Sequence, residues 1–192
     1  MSGFTAVGIF LTSLFFGVVI FTLWLRIALR YCKFSALSQF SQLILSLTEP
    51  VIRPINTLFR LKYQPGQRYD WMAFTLLVIV EFLKILVLSL LAFHNLMPVQ
   101  YILLYVVADL IIQPCDLLFY ALLIRVIMSY VKPGWQHPVG DFLRVLTQPL
   151  LVLGRKIIPD ISGFDFSPFV IMILLKVITL FVSASLPWRL IG

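Results

Sequence analysis

Charged residues are scarce in this sequence. Only 12% of its 192 residues are Asp, Glu, Lys or Arg, whereas 61% are hydrophobic. A soluble domain usually has about 25% charged residues and about half apolar ones. The composition therefore excludes a soluble globular protein, and it excludes a disordered chain, which would need few apolar residues. It predicts an all-α polytopic membrane protein.

Cysteine and histidine are also sparse, and they are scattered. Cys32, Cys115, His94 and His137 form no CxxC or HxxxH spacing, whereas a structural zinc site needs four converging ligands. The two cysteines also exclude a secreted disulfide scaffold. No glycine-rich nucleotide motif, P-loop, HExxH or serine-nucleophile motif is present. We therefore expect no metal, no cofactor and no enzymatic activity.

Long apolar stretches predict four membrane spans. They cover about residues 4–30, 71–93, 101–131 and 168–186. A span needs about 20 residues, because the hydrocarbon core is about 30 Å thick. The third stretch is longer than this and contains Pro114, so we expect one long helix bent near the proline. No basic residue precedes the first span, which predicts a retained span rather than a cleaved signal peptide.

The distribution of basic residues predicts the orientation. Twelve of the 15 Lys and Arg residues lie in two segments, residues 26–68 and 125–156, each of which covers the end of one span and the connection to the next. Loops rich in Lys and Arg remain in the cytoplasm. Both of these segments are therefore expected to be cytoplasmic, with both termini on the opposite side.

The sequence repeats itself at an offset of 99 residues. Leu25-Arg26-Ile27 aligns with Ile124-Arg125-Val126, and the segment 47–50 (LTEP) aligns with 146–149 (LTQP). We therefore expect two tandem repeats, residues 1–98 and 99–192, each with two spans. An even number of spans gives both repeats the same orientation, related by an axis along the membrane normal.

Each repeat has a cytoplasmic segment with a proline near its centre. In residues 39–60 and 141–158, apolar residues recur at helical spacing on both sides of Pro50 and Pro149. This pattern predicts a pair of short amphipathic helices on the membrane surface, and a shallow re-entrant hairpin is the alternative. Asp70 and the pair Ser167-Pro168 are predicted N-caps of the spans that follow.

Basic side chains on these segments are expected to face anionic lipid. They are dispersed and lack interleaved exposed aromatic residues, so we expect no nucleic-acid partner. The predicted lipid-facing residues are Arg53, Arg60, Lys62, Arg144, Arg155 and Lys156.

Five ionisable residues lie inside the predicted spans: Glu81, Lys84, Asp109, Asp116 and Lys176. Each would be costly facing lipid, so each should face protein or water and have a partner. They could be buried ion pairs that fix helix register, or a polar pathway for protons or small cations. Glu81 and Lys176 occupy equivalent repeat positions, so we expect them to pair with each other, with Asp116 near Lys176.

Short motifs stand at matching places in the two copies. In the second copy they are 147–151 (TQPLL), 155–159 (RKIIP) and 164–168 (FDFSP), and the first copy has a degenerate partner at 48–55 (TEPVIRPI). These motifs resemble the signature of the YggT family, also called YlmG, and the resemblance covers nearly the whole chain. One departure is the segment 152–154 (VLG), which stands where the family more usually has a basic residue and a proline.

The resemblance implies a small multi-pass protein of the bacterial inner membrane, which would make both termini periplasmic. Plastid relatives are associated with cytochrome assembly and with nucleoid or envelope organisation. The implied function is non-enzymatic, as an organising or assembly factor for other envelope proteins. The alternative is proton or small-cation conduction, or osmotic homeostasis, through the intramembrane charges. The expected partners are anionic headgroups of the bilayer, other membrane proteins and a second copy of the chain.

Reporter fusions test the predicted topology. Because the basic residues are concentrated in two segments, a fusion at Gln67 should be active in the cytoplasm and a fusion at Gly192 in the periplasm. A cytoplasmic signal at Gly192 in a protein with four spans would contradict the predicted orientation.

Overall fold

The computed structural model describes residues 3–35, 38–59, 69–131, 137–157 and 165–187. All regular secondary structure in these ranges is helical, which confirms the predicted all-α fold. The six helices are α1 (Gly3–Tyr31), α2 (Gln39–Phe59), α3 (Trp71–Phe93), α4 (Val99–Val131), α5 (Pro138–Ile157) and α6 (Ser167–Ala184).

Four of these helices, α1, α3, α4 and α6, are long and apolar enough to cross a membrane. Their bounds differ from the predicted spans by two residues or fewer at each end. The shortest, α6, has 18 residues, which corresponds to about 27 Å at about 1.5 Å per residue. The longest, α4, continues without a break through Pro114, which confirms the single helix that was predicted there. The bend near Pro114 stays a prediction.

The prediction of two short helices in residues 39–60, and again in residues 141–158, is wrong. Both α2 and α5 are single helices that continue through Pro50 and Pro149. An internal proline removes one backbone hydrogen bond and costs about 3 kcal/mol. Buried residues on both sides of each proline offset this cost: Ile44 and Ile52 flank Pro50, while Leu146 and Leu151 flank Pro149. Neither helix is among the candidate membrane spans.

The helices pack as two similar halves. In the first half α1 packs against α3, and α2 contacts both. In the second half α4 packs against α6, and α5 contacts both. The cores of the two halves are separate apolar clusters, the first around Leu23, Ile52 and Leu77 and the second around Leu122 and Leu151.

The halves meet through α3 and α4 and through a contact between α2 and α5. Phe142 on α5 is 1% exposed and lies at the centre of this second contact. Its ring centroid is 5.3 Å from that of Phe40 on α2 and 5.7 Å from that of Phe34. Aromatic pairs at these distances stabilise a contact beyond the area that they bury.

The start of α3 was predicted correctly, and the start of α6 was not. Asp70 is the N-cap of α3, and its Oδ1 accepts a hydrogen bond from the Ala73 backbone N–H at 3.1 Å. At α6 the N-cap residue is Phe166, and Ser167 is the first helical residue. The side chain that accepts the Ser167 N–H, at 2.9 Å, belongs to Asp165. A carboxylate two residues earlier therefore replaces the predicted serine cap.

The close approach of α5 to α6 depends on Gly154. A Cβ atom added there would lie 2.7 Å from Cδ1 of Ile171 and 2.9 Å from Cβ of Ser167. Both distances are shorter than van der Waals contact, and the Ser167 Cβ cannot move without its backbone. The residue that departs from the family pattern thus provides the space in which α6 packs.

Replacing this glycine should separate the two helices. Gly154→Ala should destabilise the protein by about 1–3 kcal/mol, because overpacking forces backbone shifts. The control is Gly17→Ala on α1, where an added Cβ meets nothing within 4 Å and should stabilise the helix by about 0.5–1 kcal/mol. Thermal unfolding in detergent measures both, and equal melting temperatures for the two variants would contradict the tight contact.

Candidate functional site

Three of the five charged residues inside the predicted spans form one network, in which two members are buried and Asp109 is partly buried. Lys84 and Glu81 lie on α3, one turn apart, and the ammonium group of Lys84 donates a hydrogen bond to Glu81 Oε1. Lys84 Nζ also lies 2.6 Å from Oδ2 of Asp109 on α4. The Glu81 side chain is 0% exposed and that of Lys84 is 8% exposed. One lysine therefore bridges two carboxylates and joins α3 to α4.

Two uncharged side chains extend this network to α1. Gln113 on α4 donates from Nε2 to Glu81 Oε2 at 3.0 Å. Its Oε1 accepts a hydrogen bond of 2.9 Å from Trp24 Nε1 on α1. Sequence reasoning missed both residues, although Gln113 lies one turn after Asp109 within an apolar stretch. A polar residue at that spacing shares a helix face with the aspartate and could have been found.

The other two charged residues form a separate pair between α4 and α6. Lys176 Nζ lies 2.8 Å from Asp116 Oδ1, and 4.9 Å from the centroid of the Phe119 ring. The pair is more exposed than the first network, at 41% for the Lys176 side chain and 34% for that of Asp116. The expected proximity of Asp116 and Lys176 is thus confirmed.

The expected ion pair between Glu81 and Lys176 is wrong. Glu81 is bound by Lys84 and Gln113, whereas Lys176 is bound by Asp116. The physical reason is local, because Lys84 lies three residues after Glu81 on the same helix face and reaches it first. In addition, α3 packs against α1 and α4, whereas α6 packs against α4 and α5.

A second set of polar contacts lies where α1 ends and α3 begins, and at the matching ends of α4 and α6. In the first half, Asp70 Oδ2 accepts from Arg26 Nε at 3.2 Å and from Arg30 Nη1 at 2.9 Å. Arg26 Nη1 also donates to Thr48 Oγ1 on α2, at 2.8 Å. Asp70 and Thr48 are both buried. These contacts join α1, α2 and the start of α3 at one point.

The second half has the same arginine–threonine contact 99 residues later. Arg125 Nη1 donates to Thr147 Oγ1 at 2.7 Å, as Arg26 does to Thr48. The carboxylate differs in its partner, since Asp165 binds Arg155 of α5 at 2.7 Å. Burial opposes ionisation of Asp165, but hydrogen bonds from Ser167 and Arg155 outweigh it, so its pKa lies below the usual value. The repeat aligned both arginines and threonines without indicating that they touch.

The predicted lipid-facing residues differ in their surroundings. Arg53 forms an exposed ion pair of 3.1 Å with Glu49, and Arg144 lies 3.7 Å from Asp141. Lys156 is exposed, whereas Arg155 binds Asp165. Arg60 and Lys62 lie outside the described residues.

Among the described residues, no group of three or more His, Cys, Asp and Glu side chains could hold a metal ion. Cys32 and Cys115 are both free thiols. Burial raises the pKa of the Cys32 thiol, which disfavours the reactive thiolate.

Four helices are long and apolar enough to cross a membrane, and ion pairs join three of them. These features are typical of a polytopic helical membrane protein. A sequence model of the CCB3/YggT family matches residues 5–91 and again residues 104–186. The chain therefore belongs to the CCB3/YggT family.

Bacterial relatives match over most of their length. The chain is 33% identical over 165 residues to "Uncharacterized protein in proC 3'region" of Vibrio alginolyticus, which covers 85% of this chain and 86% of the relative. It is 30% identical over 181 residues to "Uncharacterized protein YggT" of Escherichia coli K12, covering 92% and 89%. No solved structure is significantly similar to the chain.

The two charge clusters predict different costs of removing a lysine. Lys84→Ala would leave the buried Glu81 and the partly buried Asp109 without their shared cation, and should lower the free energy of unfolding by about 3–5 kcal/mol. Lys176→Ala should cost clearly less, because only one partly exposed carboxylate loses its partner. Thermal unfolding of both variants in the same detergent provides the comparison. Equal losses of unfolding free energy in the two variants would show that the contribution of the first network to stability does not depend on its burial.

Proposed function

We propose that this protein is a non-enzymatic organising or assembly factor for other proteins of the bacterial inner membrane. Family membership and the four apolar helices support the membrane location. The observation that carries the proposal is that all five intramembrane charges are bound by side chains of the chain itself. Charges used in this way hold helices together, which is what a scaffold requires.

The proposed arrangement in the membrane follows from the sequence repeat. The family matches begin at residues 5 and 104, which supports two tandem units in the same orientation. We place α2 and α5 at the cytoplasmic surface, where their basic residues would face anionic headgroups. Both termini would then be periplasmic.

A groove between α1 and α4 is the proposed contact surface for a partner. One cavity of about 290 Å³ is lined by residues that include Gly17, Phe21, Trp24 and Tyr120. A second cavity of about 360 Å³, almost entirely apolar, adjoins it at Trp24. Gly17 has nothing within 4 Å of its Cβ position. These features would accommodate side chains of a transmembrane helix from another envelope protein.

Site-specific photo-crosslinking in native membranes tests this surface. A crosslinking residue at Phe21 or Tyr120, beside the groove, should form discrete protein adducts. Phe181, which is 75% exposed on α6 and does not line the groove, should form only lipid adducts. Protein adducts of equal yield at all three positions, or none at the groove, would contradict the proposed surface.

A second candidate function, proton or small-cation conduction, is favoured by one feature of the same groove. Asp116 and Gln113 line it, and Gln113 donates to the buried Glu81. The side chain of Gln113 thus connects the groove to the carboxylate of Glu81. Under this alternative, the protein in liposomes would carry a proton flux that Glu81→Gln abolishes. The absence of a flux with the wild-type protein would leave the organising function as the better account.

A further inference from the structure

A cavity of about 350 Å³ lies at the cytoplasmic end of α4, beside α5 and α6. Its lining includes the polar residues Arg125, Ser129 and Arg155. It also includes the apolar residues Leu122, Val126 and Phe169. A pocket with both kinds of lining suits an amphiphilic ligand better than a fully polar one.

The carboxylate of Asp165, which lines this cavity, already accepts hydrogen bonds at both oxygens. Asp165 Oδ2 accepts from Arg155 Nε at 3.0 Å and from Nη2 at 2.7 Å. Its Oδ1 accepts the backbone N–H of Ser167, at 2.9 Å, and the Ser167 hydroxyl. Four donors therefore occupy both oxygens of Asp165, which leaves it no capacity to bind Arg125.

Within the described ranges Arg125 forms no ion pair with a carboxylate, and Asp165 acts on its charge only from beyond hydrogen-bond distance. Its Nη1 donates to Thr147 Oγ1 and to the Arg144 carbonyl, and its Nη2 donates to Gln148 Oε1, all of which are uncharged acceptors. The Arg125 Nε–H has no partner among the side chains that the structure describes. A guanidinium with an unused donor beside a cavity is a ready site for a phosphate oxygen.

The first half of the chain serves as an internal comparison. There Asp70 forms ion pairs with both Arg26 and Arg30, at 3.2 and 2.9 Å. The position 99 residues after Arg30 is Ser129, so the second half lacks the second arginine. Its carboxylate, Asp165, pairs with Arg155 of α5 instead, which leaves Arg125 without the ion pair that Arg26 has.

We propose that the cavity at Arg125 binds the phosphate of an anionic phospholipid from the cytoplasmic leaflet. This proposal rests on the proposed membrane placement of the chain. Arg125 would donate to the phosphate, and Ser129 would lie beside the headgroup. The acyl chains would extend from the cavity along the apolar residues Leu122, Val126 and Phe169. The volume of about 350 Å³ suffices for a headgroup but not for a whole lipid, so the chains must lie outside it.

Native mass spectrometry of the purified full-length protein in detergent tests this site. The protein should retain one phosphatidylglycerol molecule and prefer it at least about tenfold over phosphatidylcholine, which is about 1.4 kcal/mol in binding free energy. Arg125→Gln should reduce retention at least about tenfold. Ser129→Phe, which fills the cavity at unchanged charge and keeps the Thr147 contact, should have the same effect. The matched control is Lys156→Gln, since Lys156 is exposed and does not line the cavity, and it should retain lipid like the wild type.

Three results would overturn the proposal. Equal loss in Lys156→Gln and Arg125→Gln would show a general charge effect rather than a site. Wild-type retention in Ser129→Phe would place the lipid elsewhere, and this variant decides the question if Arg125→Gln fails to fold. Displacement of the lipid by millimolar inorganic phosphate, in a manner sensitive to Arg125→Gln, would show that the site takes free phosphate instead. A reconstituted protein with reversed orientation or fewer spans would contradict the proposed membrane placement. It would not contradict phosphate binding by the cavity.

Discussion

The cost of a charged side chain among apolar helices is the constraint on which this structure depends. Lys84 would be expensive to bury alone, and so would Glu81 and Asp109. Together they satisfy one another, and the geometry that allows this fixes α3 against α4. Gln113 and Trp24 extend the same contact to α1. A network of this kind is specific because apolar packing alone would tolerate rotation or sliding of the helices.

A second set of polar contacts lies at the ends of the same long helices. Arginines near the ends of α1 and α4 bind threonines of α2 and α5. These contacts hold the amphipathic helices against the long apolar ones. The two halves differ at the carboxylate: Asp70 pairs with arginines of α1, whereas Asp165 pairs with an arginine of α5.

Hydropathy and charge predicted most of the fold because both are properties of consecutive residues. The four spans and the single helix through Pro114 were predicted to within two residues at each end. The continuity of α2 and α5 could not be predicted in this way. A proline is a local signal for a helix end, and the buried residues that outweigh it, such as Ile52 and Leu151, are recognisable only in the packed structure.

The sequence predicted which charged residues belong to the candidate site, but not which of them form ion pairs with each other. Placing Glu81, Lys84, Asp109, Asp116 and Lys176 inside the spans required only the sequence. Deciding which of them touch required knowing that α4 lies between α3 and α6. The repeat suggested that equivalent positions meet, but local spacing on α3 decided the partner of Glu81. The repeat showed only that an arginine and a threonine recur in both copies. The alignment of the copies cannot show that the arginine and the threonine of one copy are in contact.

A mutant cycle on the buried network tests the central claim most directly. It compares the unfolding free energy in detergent of Lys84→Met alone, of Glu81→Leu with Asp109→Leu, and of all three changes together. If the network is a structural tether, both partial variants lose stability, and the triple variant recovers most of it, with a coupling energy of about 3 kcal/mol or more. A coupling energy near zero, with the triple variant as unstable as the sum of its parts, would contradict the account.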